Sequence, residues 1–363
     1  MKMLKDLQHW LPFAACLLVS IFAYSLSAEP VKIIFDTDMY TDFDDAGALA
    51  CLHAMADAGE CEILATISNT RDCMSVAMCE IINAYYGRPE IPVGCAKEIG
   101  KSGSEPDHVK RYGAAVKKYA KWVKHLNSND APDANSIYRR VLAAQPNNSV
   151  IICSVGFLTN IRRLLETKPD DISPLDGKAL VAKKVKLWVA MACRYPSGWE
   201  YNSGVDPESS RIALENWPTP VLISDFEYGR DCYAGRVLAE SGVKDNPVAD
   251  VFAGNIPTCD EVRADSARWN KCCSGMGGRA SWDQTAVLVA VRGWAPYCNA
   301  VRGTYRMVGD KGMDEWAPDA ENGRHLRITE KMSKAEVGRI IDELMLRKPS
   351  NQAQYGFVAP TAS

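Results

Sequence analysis

Five aspartates fall within ten residues near the start of this chain, directly after a short apolar run. They are Asp36, Asp38, Asp42, Asp44 and Asp45. Carboxylates this close together repel one another in any compact structure, so raised pKa values or a bound cation must relieve the repulsion. Oxygen ligands of this kind suit a hard cation such as Ca²⁺ or Mg²⁺. Capping of a helix N-terminus would account for one aspartate, but not for all of them.

The segments around these aspartates predict a turn between a strand and a helix. Residues 31–35 are apolar or β-branched except for Lys32, which is typical of a buried strand, and residues 46–58 predict the helix that follows. Further strands are predicted at 61–68, 91–94, 150–155, 185–192 and 221–224, and further helices at 75–86, 207–216, 234–241 and from Asp283 onward. Strands that alternate with helices predict an α/β fold, with an open, mostly parallel (mixed) sheet and helices on both faces.

Length and charge limit the class of protein. At 363 residues the chain is long enough for one large α/β domain, and its net charge of -3 gives no support for a nucleic-acid partner. We predict a single domain over residues 29–348. Residues 349–363 contain proline, glutamine and serine and predict a frayed tail.

Residues 1–28 are typical of a secretory signal peptide. A basic start with Lys2 and Lys5 precedes a mostly apolar stretch at 11–24, and small residues lead to Ala28, after which we expect cleavage. The apolar stretch is short for a membrane span, so no stable anchor is expected after cleavage. The protein is therefore predicted to be exported, either to the periplasm or outside the cell.

The cysteines show no pattern that is typical of a zinc site. Loss of Cys16 with the signal peptide would leave twelve of the thirteen cysteines, and an oxidising compartment permits disulfides among them. Several, such as Cys51 and Cys153, lie in apolar stretches, which is typical of small core residues.

Two known types of site have a DxD pattern after a strand, but both fit this chain poorly. An EF-hand loop counted from Asp36 needs Gly at its sixth position and Glu at its twelfth, where this chain has Thr41 and Gly47. A haloacid-dehalogenase-type phosphatase would use Asp36 as nucleophile and Asp38 as acid and base. The acidic continuation through Asp44 is not typical of that class, which stays a minor alternative.

Several separated motifs, in order, resemble the inosine-uridine-preferring nucleoside hydrolase family. The opening DTDMYTDFDDAGAL resembles the family's DxDxGxDDA motif in a form with two extra residues. Asn69 and the segments VGFLTN (155–160), WEYN (199–202) and WDQTAV (282–287) resemble its later motifs. The resemblance spans about residues 31–293 and implies the family's α/β fold.

The resemblance implies a role for each matching residue. A Ca²⁺ ion would be held by Asp38, Asp45, Asp283 and the main-chain carbonyl of Val155, and Asp38 would also take a proton from the attacking water. Ribose would be bound by Asp44 (or by Asp42, because of the two extra residues), Asn69, Glu200 and Asn202. Asp36 would brace the loop from behind the site.

Two departures from the family pattern affect the chemistry. Tyr40 stands where the opening motif usually has Gly, so the loop must be strained or take another path. Trp282 stands where many members have a His that protonates the leaving base, and an indole N–H is not a general acid. The base would then stack on Trp282 or on neighbouring aromatic residues, unless these serve only core packing. The other aromatic candidates are Trp199, Tyr195 and Tyr201, and the histidines that could act as substitutes by chemistry alone are His53, His108, His125 and His325.

The sequence therefore predicts an exported, Ca²⁺-dependent hydrolase that cleaves the N-glycosidic bond of nucleosides, or of related N-ribosides, to give ribose and a free base. A homo-oligomer is possible. The rival hypothesis from a different class is an exported ribose- or nucleoside-binding protein, or an inactive relative, and Trp282 is the feature that favours it.

Overall fold

The structure is a computed structural model that describes residues 29–40, 42–70, 74–97, 106–271 and 274–350. The predicted signal peptide at 1–28 lies outside the described residues, and so do residues 351–363 of the predicted tail. In the part that is described, no helix combines the length and the apolar character that a membrane crossing requires.

A ten-stranded sheet forms the centre of the described part of the chain. Its strands lie in the order β3-β2-β1-β4-β5-β7-β13-β11-β12-β6, and a small sheet has the order β8-β10-β9. The strands are β1 (Val31–Thr37), β2 (Cys61–Ser68), β3 (Val93–Cys95), β4 (Val150–Ser154), β5 (Val185–Met191), β6 (Ser197–Trp199), β7 (Val221–Ser224), β8 (Tyr233–Gly235), β9 (Ser274–Gly275), β10 (Gly278–Ala280), β11 (Cys298–Val308), β12 (Met313–Pro318) and β13 (His325–Glu330). From β3 to β13 neighbouring strands are parallel, and the remaining pairs are antiparallel.

Helices connect most of these strands. They are α1 (Asp44–Asp57), α2 (Ser75–Tyr85), α3 (Pro106–Lys118), α4 (Ala134–Ala144), α5 (Thr159–Glu166), α6 (Gly177–Lys184), α7 (Tyr201–Gly204), α8 (Pro207–Asn216), α9 (Phe226–Arg230), α10 (Arg236–Glu240), α11 (Pro247–Asn255), α12 (Cys259–Ala264), α13 (Ser266–Lys271), α14 (Trp282–Arg292) and α15 (Lys334–Met345). Short 3₁₀ turns lie at Ala120–Trp122 and Ser128–Asp130.

Both faces of the sheet are buried. Successive side chains of a strand point to opposite faces, and on β1 the side chains of Ile33 and Phe35 belong to one apolar cluster while Ile34 belongs to another. The first cluster includes residues of α1, α2, α11, α14 and α15, and the second includes residues of α4, α5, α6 and α8. This arrangement confirms the predicted α/β fold with an open, mostly parallel (mixed) sheet and helices on both faces.

Most predicted elements are present with small shifts at their ends, but the helix predicted at 234–241 was wrong at its start. Tyr233–Gly235 forms β8, and the helix is confined to Arg236–Glu240. The reason is Gly235, whose φ of 93° lies in the left-handed region and cannot continue a right-handed helix. The three strands after residue 293 were not predicted at all.

The nine described cysteines are all free thiols, and eight of them are buried. Cys51 and Cys153 both lie in the apolar core, where burial raises the pKa of each thiol far above its usual value. These thiols behave as small core residues, and Cys73, Cys272 and Cys273 lie outside the described residues.

Candidate active site

The carboxyl ends of four parallel strands bring the predicted site residues to one edge of the sheet. Asp38 follows β1, Asn69 follows β2, and Val155 follows β4. The loop after β5 leads to Glu200 and α7. Main-chain hydrogen bonds fix these strand ends against each other, since the Asn69 N–H donates to the Thr37 carbonyl at 2.9 Å and the Val155 N–H donates to the Asp36 carbonyl at 2.7 Å. Such an edge is where open α/β sheets place their sites.

Four carboxylates are buried together at this edge. Asp38, Asp44 and Asp45 come from the β1–α1 turn, and Asp283 comes from the first turn of α14. The α14 segment meets the turn directly, because the Asp283 N–H donates to Asp44 Oδ2 at 3.3 Å. α1 and α14 pack against each other, so the fold joins residues far apart in sequence.

Burial and mutual repulsion make these carboxyl groups hard to ionise. The pKa values of Asp44, Asp45 and Asp283 all lie well above the usual range, first because of burial and then because of neighbouring negative charges. The strongest of these charges are Asp42 for Asp44, Asp38 for Asp45, and Asp44 for Asp283. A bound cation would offset this repulsion and favour the ionised carboxylates.

The donor set fits a hard divalent cation. Oxygen atoms of Asp42, Asp44 and Asp45 lie within 4.8 Å of one another, so this acidic cluster is able to hold a metal. Of the predicted ligands Asp38, Asp45 and Asp283, this cluster includes Asp45 alone. The Val155 carbonyl accepts a hydrogen bond from Asn202 at 3.0 Å and keeps a second lone pair for a ligand role. All donors are oxygen, as Ca²⁺ and Mg²⁺ prefer.

Asp36 lies behind the site and braces it. Its carboxylate accepts hydrogen bonds from Asn69 Nδ2 at 2.6 Å, from the Tyr138 hydroxyl at 2.7 Å and from Asn160 Nδ2 at 3.1 Å. It is fully buried, and burial raises its pKa to about 7. A phosphatase nucleophile must reach a phosphate, so this arrangement argues against the phosphatase alternative. Asn69, predicted to bind ribose, contacts Asp36 through its amide nitrogen, and its Oδ1 is a buried acceptor with no partner among the described residues.

Asp42 is held in a different way from the other acids. Arg279 Nη2 contacts Asp42 Oδ2 at 2.5 Å, and Asp42 Oδ1 accepts the Asp44 N–H at 3.0 Å. The Arg279 guanidinium also lies over the Phe43 and Trp282 rings, 5.1 and 5.2 Å from their centroids. Of the two residues predicted to bind the ribose hydroxyls, Asp42 is thus paired with Arg279, whereas Asp44 lies next to Asp283.

The turn between β1 and α1 includes a strained position. Tyr40 has a φ of 94°, in the region that favours glycine, and its ring is buried 5.1 Å from the ring of Tyr112. The Tyr112 hydroxyl in turn donates to the Asp42 carbonyl at 2.7 Å. The strain expected at Tyr40 is therefore present, and aromatic packing holds the turn in this conformation.

Glu200 and Asn202 organise the far side of the site. Glu200 caps α7, with Oε1 accepting the Asn202 N–H at 3.0 Å and Oε2 accepting the N–H groups of Ser203 and Cys193 at 2.9 and 3.1 Å. The Asn202 amide donates to the carbonyls of Val155 and Met191 at 3.0 and 3.1 Å. Asn202 thus also ties the ends of β4 and β5 together, and Glu200 ties the segment after β5 to α7.

The aromatic candidates occupy different surroundings. The Trp282 indole N–H donates to the Phe226 carbonyl at 2.8 Å, and the ring packs against Phe226. Tyr201 is half-buried, and burial together with the charge of Asp38 raises its pKa, which places its ring beside the acids. Trp199 is exposed next to Tyr201, at 5.8 Å between ring centroids. Tyr195 is also exposed, and its ring stacks on the Arg327 guanidinium.

The histidines with described side chains have structural surroundings. His53 bonds to Asn83 at 2.9 Å, His125 to Glu80 at 2.6 Å, and His325 to the Tyr305 N–H at 3.0 Å. Burial lowers the pKa of His53 to about 3 and that of His325 to about 4, so both are neutral. The side chain of His108 lies outside the described part of the structure.

Sequence reasoning missed several residues that hold the site. They are Tyr138, Arg279, Ser203 and Asp314. Ser203 follows the WEYN motif directly, which was an available signal. The other three are single polar residues in a helix, a Gly-rich segment and an unpredicted strand, and no local pattern marks them.

Comparisons with known proteins agree with this fold. The family model described as inosine-uridine preferring nucleoside hydrolase matches residues 33–348. Among solved structures, the chain is similar to a plant nucleoside hydrolase (TM-score 0.62, 16% identity, 87% of this chain and 99% of that chain covered). It is also similar to an inosine-uridine preferring nucleoside hydrolase from Bacillus anthracis (TM-score 0.60, 15% identity, 87% and 99% covered). A purine-preferring ribonucleoside hydrolase from Gardnerella vaginalis gives a TM-score of 0.59 at 15% identity, with 86% and 96% covered. No curated protein matches the sequence.

Proposed function

Because the chain belongs to the inosine-uridine preferring nucleoside hydrolase family, we propose that this hydrolase of N-glycosyl bonds cleaves ribonucleosides with the help of a Ca²⁺ ion. The observation that supports this most directly is the burial of four carboxylates at the edge of the sheet where β4 also ends, next to Val155. In this proposal Asp38, Asp45, Asp283 and the carbonyl of Val155 hold the ion. When bound, the ion would lower the pKa of an attacking water and polarise the ribose hydroxyls.

Asp38 is the proposed general base. It directly follows β1 and is 4% exposed, so it is shielded from bulk solvent. In the reaction its carboxylate accepts a proton as water attacks C1′ of the ribose. Removal of a general base of this kind costs about 10²- to 10⁴-fold in rate.

The remaining acids act on the sugar. Asp44 accepts hydrogen bonds from ribose hydroxyls, and Asn69, Glu200 and Asn202 complete the ribose pocket. The C1′ centre becomes positively charged as the glycosidic bond breaks, as in other glycoside hydrolases. Fixed negative groups beside the ribose stabilise that charge without having to reorganise.

The departing base is not protonated by Trp282. Its indole N–H already donates to the Phe226 carbonyl, and an indole is not a useful acid. We propose that Trp282 and Tyr201 contact the base and that solvent supplies its proton. Substrates whose leaving group needs no proton are therefore cleaved fastest.

A nucleoside panel tests the proposal. Purified protein with Ca²⁺ should release reducing sugar from at least one ribonucleoside, and Asp38→Ala should reduce that release by about a hundredfold or more. Metal analysis of the same preparation should find Ca²⁺ bound to the native protein. Ribose binding without release from any nucleoside would instead support a binding protein or inactive relative, which the engaged Trp282 indole favours as the second candidate.

Export is a separate proposal that rests on residues 1–28. Expression with the native N-terminus in a bacterial host should yield a mature chain that starts at Glu29 in a periplasmic or secreted fraction. An uncleaved chain in the cytoplasm would contradict it.

A further inference from the structure

A buried polar chain behind Glu200 links the proposed ribose pocket to the antiparallel part of the sheet. Asp314 lies on β12 and is 1% exposed, and Ser203 lies in α7 with no exposure. The Ser203 hydroxyl oxygen is 3.0 Å from Asp314 Oδ2 and 3.1 Å from Glu200 Oε2. One hydroxyl group therefore stands between two carboxyl groups.

The number of hydrogens available determines which of Asp314, Ser203 and Glu200 donates to which. A serine hydroxyl has one hydrogen to donate and two lone pairs that accept. If both carboxyl groups were ionised, the hydroxyl would donate to one of them, and its oxygen would face the lone pairs of the other at close range. One additional proton between Asp314 and Ser203 removes this conflict, because Asp314 then donates to Ser203, which donates to Glu200.

The surroundings place that proton on Asp314 rather than on Glu200. Burial raises the pKa of Glu200 as well, but its carboxylate accepts three main-chain N–H groups, which stabilise its negative charge and oppose that rise. Asp314 accepts one, from Arg194 at 2.8 Å.

The charged groups that face Asp314 act in the same direction. The negative charges of Glu200 and Glu227 both disfavour its ionisation, and the Arg194 side chain is paired with Glu227 at 3.3 Å. The cross-strand partners of Asp314, Met307 on β11 and Gly198 on β6, carry no charge. Burial raises the pKa of Asp314 to about 7, in agreement with the hydrogen count.

We propose that Asp314 is a positioning residue that, in its protonated form, donates a hydrogen bond to Ser203 and so fixes Glu200, and through it Asn202, for ribose binding. The link to Asn202 is direct, since Glu200 caps the helix that carries it, and the Asn202 amide holds the carbonyls of Val155 and Met191. The proposal rests on the function proposed above. It assigns to β12 a role in the site that none of the family-like motifs includes.

The substitutions Asp314→Asn and Asp314→Ala test whether Asp314 acts as a protonated hydrogen-bond donor or as an ionised acceptor. Asp314→Asn keeps an acceptor for the Arg194 N–H and carries a permanent donor toward Ser203, so kcat/KM at pH 6 should stay within about threefold of native. Asp314→Ala and Ser203→Ala break the chain and should each lower kcat/KM by about tenfold, mainly through KM. Asp319→Asn, an exposed residue in the turn after β12, is the matched control and should change nothing.

The pH profile provides a readout that a purely structural role would not change. Native activity should fall as pH rises through about 7, when Asp314 loses its proton, and this fall should be absent in Asp314→Asn. Equal losses in the Asn and Ala variants, or an unchanged alkaline fall in the Asn variant, would overturn the proposal.

An infrared measurement separates this proposal from the proposed function. The spectrum of native protein minus that of Asp314→Asn, with Ca²⁺ at pH 6, should contain the carbonyl stretch of a protonated carboxylic acid. If no nucleoside is cleaved but this band is present, the proton assignment stands and the proposed function fails. If the band is absent, the assignment is wrong whatever the activity.

Discussion

The hydroxyl group of Tyr138 offers a test of how Asp36 supports the site. Tyr138 lies in α4, and its hydroxyl donates to Asp36 Oδ2 at 2.7 Å. Both side chains have no solvent exposure. The substitution Tyr138→Phe removes one oxygen atom and leaves the ring packing in place. Its cost therefore reports the hydrogen bond to Asp36.

The size of this cost should depend on pH. Burial raises the pKa of Asp36 from 3.8 to about 7, which means that ionising this carboxyl opposes folding by about 4 kcal/mol. Since the folded-state pKa lies above the unfolded one, the stability contributed by the protonated carboxyl is complete below about pH 4 and is lost as pH rises through about 7. Asp36 is thus mostly protonated at pH 6 and mostly ionised at pH 9.

A hydrogen bond to a charged group contributes about 1.5–3 kcal/mol, and one to a neutral group about 0.5–1.5 kcal/mol. We therefore expect Tyr138→Phe to lower the free energy of unfolding by about 1 kcal/mol at pH 6 and by about 2–3 kcal/mol at pH 9. Urea denaturation at the two pH values, with Ca²⁺ held constant, measures both costs.

Tyr86→Phe is the matched control for this experiment. Tyr86 is also fully buried, but its hydroxyl has no hydrogen-bond partner among the described residues. Its removal should be neutral or slightly stabilising at both pH values. An equal cost of Tyr138→Phe at pH 6 and pH 9, or a larger cost at pH 6, would refute the role of Asp36 as a buried, titrating brace.

Three further substitutions test other parts of the site and fold. Arg279→Gln removes the cation beside Asp42, so Ca²⁺ should bind about tenfold more tightly in calorimetry; weaker binding would contradict this. Trp282→His introduces a side chain that titrates near neutral pH, so it should speed the cleavage of nucleosides but not of a riboside with an acidic phenol as leaving group. Equal effects on the two substrates would argue against a missing general acid. Burial lowers the pKa of His325 from 6.5 to about 4, so its contribution to stability is present above pH 6.5 and is lost as pH falls. Between pH 7.5 and 5 the native protein should lose about 2 kcal/mol more unfolding free energy than His325→Gln in urea denaturation, and parallel losses would contradict this.

The parallel half of the fold could be predicted because its signal is local. Strands buried on both faces are continuous apolar runs, such as 61–68 and 221–224, whose predicted bounds agree with β2 and β7. The same reasoning placed Asp38 and Asn69 just after strands and Val155 at the end of one, because the ends of the apolar runs mark the strand ends. Their assignment to one site came from the family resemblance.

The antiparallel strands were missed because their signal is different. In β11, the buried residues Gly303, Tyr305 and Met307 alternate with Arg302, Thr304 and Arg306. This alternation is typical of a strand with one solvated face, but it contains no apolar run. A search for period-two alternation would have found β11, whereas the partners of its polar side chains depend on tertiary contacts.

These antiparallel strands help to position two side chains of the site, Trp282 and Glu200. Trp282 donates to the Phe226 carbonyl, and Phe226 opens the helix capped by Asp225. Asp225 in turn accepts hydrogen bonds from Tyr305 on β11 at 3.0 Å and from Arg327 on β13 at 2.7 Å.

Glu200 is held in a comparable way by β12, through Ser203 and Asp314. The aspartate cluster comes from the β1–α1 turn and α14, whereas the side chains around the ribose and base are oriented from the antiparallel edge. Substitutions in β11–β13 should therefore change substrate preference and KM more than they change Ca²⁺ binding, because the proposed ligands Asp45, Asp283 and Val155 are held by hydrogen bonds to β1 and to the start of α1.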